Sequence, residues 1–155
     1  MIRGIHHVSL HCHDLERMIR FYTEGLGFEV VQKFEWADNP KLDQIIDIPD
    51  SAAKGAMLRA GTCYLELFQY SAPEPRSQGG ISASDKGYTH FCVDTDDIAA
   101  DMARLKAVGM DFGTRDYVDM GRVRTLYGRD PEGNLIEVQQ CFEGSGIELS
   151  ELSAA

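Results

Sequence analysis

Apolar and polar positions alternate in "HHVSLHC" near the start of the chain, the period of a β-strand with one face buried. The period then changes. Leu15, Met18, Ile19 and Tyr22 recur at helical spacing behind Asp14, a residue suited to cap a helix, and Gly25 and Gly27 are expected to end that helix. "FEVVQKFEW" reads as a strand. "NPKLDQIIDIPDSAAKG" reads as a loop with a short helix after Pro40, and "AMLRAG" and "TCYLELFQY" as two strands joined around Gly61. The first part of the chain is thus β-α-β-β-β.

"SAPEPRSQGGISASDKG" breaks the pattern with Pro, Gly and Ser and reads as a linker. Beyond it the order restarts. "YTHFCVD" is a strand, and Asp96 or Asp97 caps a helix with Ile98, Met102, Leu105 and Val108 on its apolar stripe, ended by Gly109. "DFGTRDYVD", "RVRTLYGRD" and "NLIEVQQC" read as three more strands, the last two joined by the turn "DPEG". The halves register: Leu15 lies eight positions after His7, and Ile98 eight after His90. An α+β fold of two βαβββ modules is expected, forming one domain over 1–142 because each module needs cover for its apolar sheet face. The boundaries are 1–70 for module 1, 71–87 for the linker and 88–142 for module 2. Residues 143–155 read as a mobile tail or a small dimer contact.

Composition narrows the function without naming it. A chain of 155 residues with 43% hydrophobic and 26% charged residues is that of a globular protein. Its net charge of −10 argues against nucleic acid and anionic membranes as partners. No apolar run approaches the roughly 20 residues of a membrane-spanning helix. Cys12, Cys63, Cys92 and Cys141 form no C-x-x-C pair and read as reduced thiols, so a cytoplasmic location is expected.

The histidines carry the chemistry. Four of the five (His6, His7, His11 and His13) fall within the first thirteen residues, and the fifth is His90. Alternation puts His7, Ser9, His11 and His13 on one strand face and sends His6 to the other, as a structural residue. Glu66 in "YLELF" and Glu137 in "LIEVQ" stand inside apolar strands near the close of each module. An ionised carboxylate there needs a partner. A divalent cation is an obvious one, and imidazole with carboxylate suits zinc, iron, manganese, cobalt or nickel better than calcium. Tyr64, Phe68, Tyr70, Trp36 and Tyr88 are either core or the lining of an apolar cavity, and His11 and His13 are candidates to touch substrate.

"IHHVSLHCHDLERMIRFYTEGLGFEVV", "YLELF", "THFCVDTDDI" and "YGRDPEGNLIEV", in that order, resemble the vicinal oxygen chelate superfamily, which includes glyoxalase I, methylmalonyl-CoA epimerase, fosfomycin resistance proteins, bleomycin-binding proteins and extradiol dioxygenases. The resemblance implies that the modules' mixed sheets form an open, cup-shaped barrel around one site. It implies one divalent metal ion on His7, Glu66, His90 and Glu137, a set similar to that of bacterial glyoxalase I. His7 rather than His6 matches because it directly precedes "VSL". It further implies a homodimer and a lyase or isomerase that acts on a small carbonyl substrate through a metal-stabilised enediolate. Glu137 would be the catalytic base, with Glu66 on the opposite side of the metal. The chain departs from bacterial glyoxalase I at His11, where an Arg serving glutathione is usual, and from the epimerase in "KGAMLRAG", which lacks a carboxylate. Tyr127 matches a tyrosine of extradiol dioxygenases and is a third candidate catalytic residue. A ferrous extradiol-type dioxygenase, an antibiotic-type binding protein without turnover and a fosfomycin-type thiol transferase are the competing readings.

Overall fold

Asp14 and Asp97 start the two helices that organise the chain. The Asp14 carboxylate accepts the Arg17 backbone N–H and the Asp97 carboxylate accepts that of Ala100, both at 3.0 Å, so each satisfies a donor with no partner inside its helix. Of the two caps the sequence allowed for the second helix, Asp97 is the one in place. The computed structural model describes residues 1–76 and 80–152 and divides the chain into two compact units, Met1–Ser77 and Gln78–Ala155. The expected linker includes 77–79 and the expected tail includes 153–155; these positions lie outside the described residues.

The first unit runs β1 (His7–His11), α1 (Leu15–Arg20), β2 (Glu29–Trp36), α2 (Pro40–Ile46), β3 (Ala52–Ala60) and β4 (Cys63–Ala72). Its mixed sheet has the order β1-β4-β3-β2, with β1 and β4 parallel and the other pairs antiparallel. Leu15, Met18 and Ile19 of α1 are buried, as are Ala56, Leu58, Leu65 and Leu67 on the sheet face that α1 packs against. Past Arg20 the helix widens into a π-helical turn, Phe21–Gly25, rather than stopping at the glycines. That turn brings two consecutive aromatics inside, Phe21 at 2% exposure and Tyr22 at 0%, which an unbroken stripe of 3.6-residue period would not. Gly27, at φ +71°, then reverses the chain into β2. β4 continues to Ala72, two residues into the expected linker.

The second unit repeats the plan with β5 (His90–Asp94), α3 (Ile98–Ala107), β6 (Val118–Asp119), β7 (Val123–Arg129) and β8 (Leu135–Cys141), in sheet order β5-β8-β7-β6. Ile98, Met102 and Leu105 of α3 are buried, as are Leu126, Ile136 and Val138 on the helix-facing side of the sheet. Gly128 leaves room for Met110 and Phe112, because a Cβ there would stand 2.7 Å from both. Buried Asp130 holds the "DPEG" turn by accepting the backbone N–H groups of Glu132 and Asn134, each at 2.9 Å.

One expected strand is largely missing. "DFGTRDYVD" gives an isolated bridge between Asp111 and Arg129 and the two-residue β6. Its aspartates take local backbone donors instead: Asp111 accepts from Gly113, Asp116 from Tyr117 and Asp119 from Gly121. Such short side-chain loops compete with a strand ladder. The tail carries a one-turn helix, α4 (Leu149–Leu152). Among the described residues no helix is long and apolar enough to cross a membrane.

Asp97→Ala is expected to lower unfolding stability by about 1 kcal/mol, whereas Asp96→Ala stays within roughly 0.5 kcal/mol of the parent. Urea denaturation of the two variants checks the cap directly.

Candidate metal centre

Strand register decides which side chains share a face. In the first unit the parallel β1–β4 pairing sets His7 beside Tyr64 and Ser9 beside Glu66, and β3 sets Met57 opposite Glu66. These residues lie on the sheet face away from α1. His7 Nε2 stands 3.4 Å from Glu66 Oε2. The second unit repeats the register: His90 beside Leu135, Cys92 beside Glu137 and Tyr127 opposite Glu137. His90 Nε2 stands 3.4 Å from Glu137 Oε2, the same separation as in the first pair.

That spacing fits two donors of one cation. Ligands held at about 2.0–2.2 Å from a metal stand roughly 3.0–3.4 Å apart across a shared edge, while 3.4 Å is long for a direct hydrogen bond. Each unit therefore presents one imidazole nitrogen and one carboxylate oxygen side by side, chemistry suited to a transition-type divalent ion. Among the described residues no group of three or more His, Cys, Asp or Glu side chains is gathered tightly enough to hold a metal ion.

The carboxylates have different surroundings. The Thr125 hydroxyl donates to Glu137 Oε1 at 2.6 Å, leaving Oε2 as the oxygen beside His90. In the first unit the position equivalent to Thr125 is Gly55, opposite Phe68, so Glu66 has no such hydroxyl. Thr125 was not among the residues singled out from the sequence, although it lies two residues before Tyr127 and so on the same face of β7. Tyr127 Oη lies 3.3 Å from His90 Nε2. Partial burial, followed by a hydrogen bond to Glu137 and that carboxylate's charge, holds the Tyr127 phenol above its ordinary range. Burial and then the Glu66 charge push Tyr70 the same way.

The other early histidines fall differently. His6 was expected on the opposite face from His7. It precedes the first residue of β1, so strand alternation does not govern it, and its ring stands over Tyr64 with Nδ1 2.9 Å from His7 Nδ1. His11 is on the His7 face, beside Tyr70 at 5.4 Å and His13 at 6.2 Å between ring centroids. Phe68, Tyr70 and Trp36 come together with Phe34 on the same face, at centroid separations of 5.7–6.3 Å. Tyr88 does not join them and is fully exposed. A cleft of about 570 Å³ between Trp36, Asn39, Lys54, Gln69 and Ser71 sits at the far end of the first sheet from His7 and contains none of the candidate ligands.

The Glyoxalase/Bleomycin resistance protein/Dioxygenase superfamily model matches residues 4–138. The chain belongs to that superfamily. This glyoxalase-superfamily chain is 34% identical, over an alignment of 153 residues, to a 2-epi-5-epi-valiolone epimerase of Actinomyces sp., covering 94% of this chain and 83% of the relative. A lactoylglutathione lyase of Pseudomonas putida is 26% identical over 145 residues, covering 86% and 83%. In fold, the chain resembles a glyoxalase family protein from Bacillus cereus with a TM-score of 0.81 at 19% identity, over 92% of this chain and 95% of that one. The superfamily fold is that of these units, mixed four-stranded sheets each carrying a helix on one face.

Tyr127→Phe is expected to remove one late step from the alkaline tyrosinate absorbance titration, because the native phenol ionises above the ordinary range. Loss of an ordinary step instead would contradict the burial of that phenol and its contact with Glu137.

Proposed function

We propose that this superfamily member is a metal-dependent enzyme of the glyoxalase and epimerase type, shifting a proton next to the carbonyl of a small hydroxy-carbonyl substrate. The repeated pair carries the reading: His7 with Glu66 and His90 with Glu137 stand at one common spacing, at matching register positions in two copies of one module. In this reading the two modules form one domain, in a cytoplasmic homodimer, and the four donors converge on one divalent ion. Bound there, that cation would polarise the substrate carbonyl and stabilise negative charge on its oxygens.

Glu137 is the base. Thr125 ties up Oε1, so Oε2, which would have to be free of the cation to act, takes the C–H proton; the bond's electron pair enters the new C=C bond, the carbonyl π pair moves to oxygen, and an enediolate results. Return of the proton to the neighbouring carbon gives an isomerase, and return to the same carbon gives an epimerase. Glu66 is the second carboxylate that reprotonation from the other side requires. The 34% likeness to an epimerase supports the epimerase outcome. His11, in place of the glutathione-serving arginine, argues against glutathione adducts as substrates.

The Tyr127–His90 contact favours one second reading, a ferrous extradiol-type dioxygenase in which Tyr127 is catalytic. The two readings separate in heavy water. NMR of α-hydroxy ketones with metal-loaded protein should show deuterium entering next to the carbonyl. Glu137→Gln should slow that exchange about 10²-fold or more per bound metal ion, and Glu66→Gln should lower metal content. No exchange with any hydroxy ketone, together with oxygen uptake on a catechol by the ferrous protein, would replace the proposal with the dioxygenase.

A further inference from the structure

The two copies share their ligand pairs but not the surfaces beside them. On the first sheet, Phe68 and Tyr70 follow Glu66 on its own face, and β3 and β2 add Phe34 across Gly55 and Trp36 across Ala53. On the second sheet the equivalents of Phe68, Tyr70 and Phe34 are Gln139, Cys141 and Val118. The βαβββ module therefore folds without an aromatic wall at this place. In the first unit the four rings remain half-buried rather than enclosed, so filling the core does not account for them.

The wall is also built to stay in position. The Trp36 indole N–H donates to Ser51 Oγ at 2.8 Å, and the Ser51 hydroxyl donates to Asp43 Oδ1 at 2.5 Å. Ser51 is 1% exposed. Asp43 also accepts the backbone N–H groups of Asp50 and Ser51, which fastens the loop after α2 behind the ring. At Gly55 a Cβ would stand 2.6 Å from both the Leu67 carbonyl oxygen and the Phe34 ring, so the bare backbone there is what seats Phe34 against the sheet. The wall is continuous with the His7–Glu66 pair: Phe68 is two residues from Glu66 on one strand face, about 6.6 Å away, and His11 meets Tyr70 edge-on.

We propose that the Phe34–Trp36–Phe68–Tyr70 wall is a specificity surface that receives the ring of a cyclic or aryl hydroxy-carbonyl substrate while the substrate's neighbouring oxygens face the His7–Glu66 pair. This rests on the metal-dependent reading above and goes beyond it by naming the substrate class: a ring-bearing compound rather than a short open-chain one. Aromatic faces discriminate in this way because a ring laid against them gains a contact area that a short open-chain compound cannot match. Ser51 and Asp43 are positioning residues, acting through the Trp36 ring.

Trp36 is the chain's only tryptophan, so its fluorescence reports on the wall directly. Metal-loaded protein would be titrated with 2-hydroxycyclohexanone, with hydroxyacetone, which keeps the neighbouring oxygens and lacks the ring, and with cyclohexanol, which keeps the ring and lacks the oxygen pair. Calorimetry would give the affinities. Saturable quenching by 2-hydroxycyclohexanone is expected, with binding roughly tenfold or more tighter than that of hydroxyacetone. Phe68→Leu, which keeps the residue apolar and is the variant to use if Phe68→Ala misfolds, should remove most of that preference and leave hydroxyacetone binding unchanged. Ser51→Ala should shift the Trp36 emission and weaken only the ring-bearing probe. Quenching with unchanged affinity after metal removal supports the wall and counts against the metal. Full metal content with no preference for the ring, or a preference untouched in Phe68→Leu, overturns the wall and leaves the metal reading standing.

Discussion

A carboxylate embedded in an apolar strand must be compensated, and this chain contains that problem twice. Glu66 and Glu137 are each 16% exposed at the side chain, and each has an imidazole 3.4 Å away. Beyond that imidazole Glu137 has the Thr125 hydroxyl, which Glu66 lacks; burying a carboxylate without partners is costly, and a hydrophobic residue at either position would pack more simply. Holding the acid there requires the strand register, since one residue of slip would turn it to the other face. It also requires the capped helix on the opposite face, which keeps that register by burying Leu65 and Leu67 on β4 and Ile136 and Val138 on β8. The two sheets are the means by which a histidine and a glutamate are presented side by side.

Duplication makes the differences informative. The module supplies the pair in both copies, and the surroundings then diverge. Thr125 fixes one oxygen of Glu137, whereas Gly55 at the matching place gives Glu66 nothing and seats the Phe34 ring instead. The polar surroundings suit a carboxylate that must present one defined oxygen to a proton. The aromatic surroundings suit a contact surface. In the proposed reading one scaffold would carry two tasks without a change of topology.

Much of this was legible in the chain itself. Strand period, aspartate caps and the eight-residue spacing from His7 to Leu15 and from His90 to Ile98 report local preferences that tertiary contacts reinforce. The features that escaped depend on particular contacts. "DFGTRDYVD" alternates like a strand, yet its aspartates close local loops that alternation cannot reveal. The π-helical turn at Phe21–Gly25 answers the need to bury Phe21 and Tyr22 together. His6 broke the face rule because the strand had not yet begun. Thr125 and the Asp43–Ser51–Trp36 chain are side-chain contacts between residues whose types alone announce nothing.

The most direct measurement is pulsed electron paramagnetic resonance on copper(II)-loaded protein, which counts the imidazoles on each ion, combined with copper stoichiometry. One copper per chain coordinated by two imidazoles, falling to one imidazole in both His7→Ala and His90→Ala, is the expected result. Two coppers per chain with a single imidazole each would mean that the pairs work separately, and that no shared centre exists.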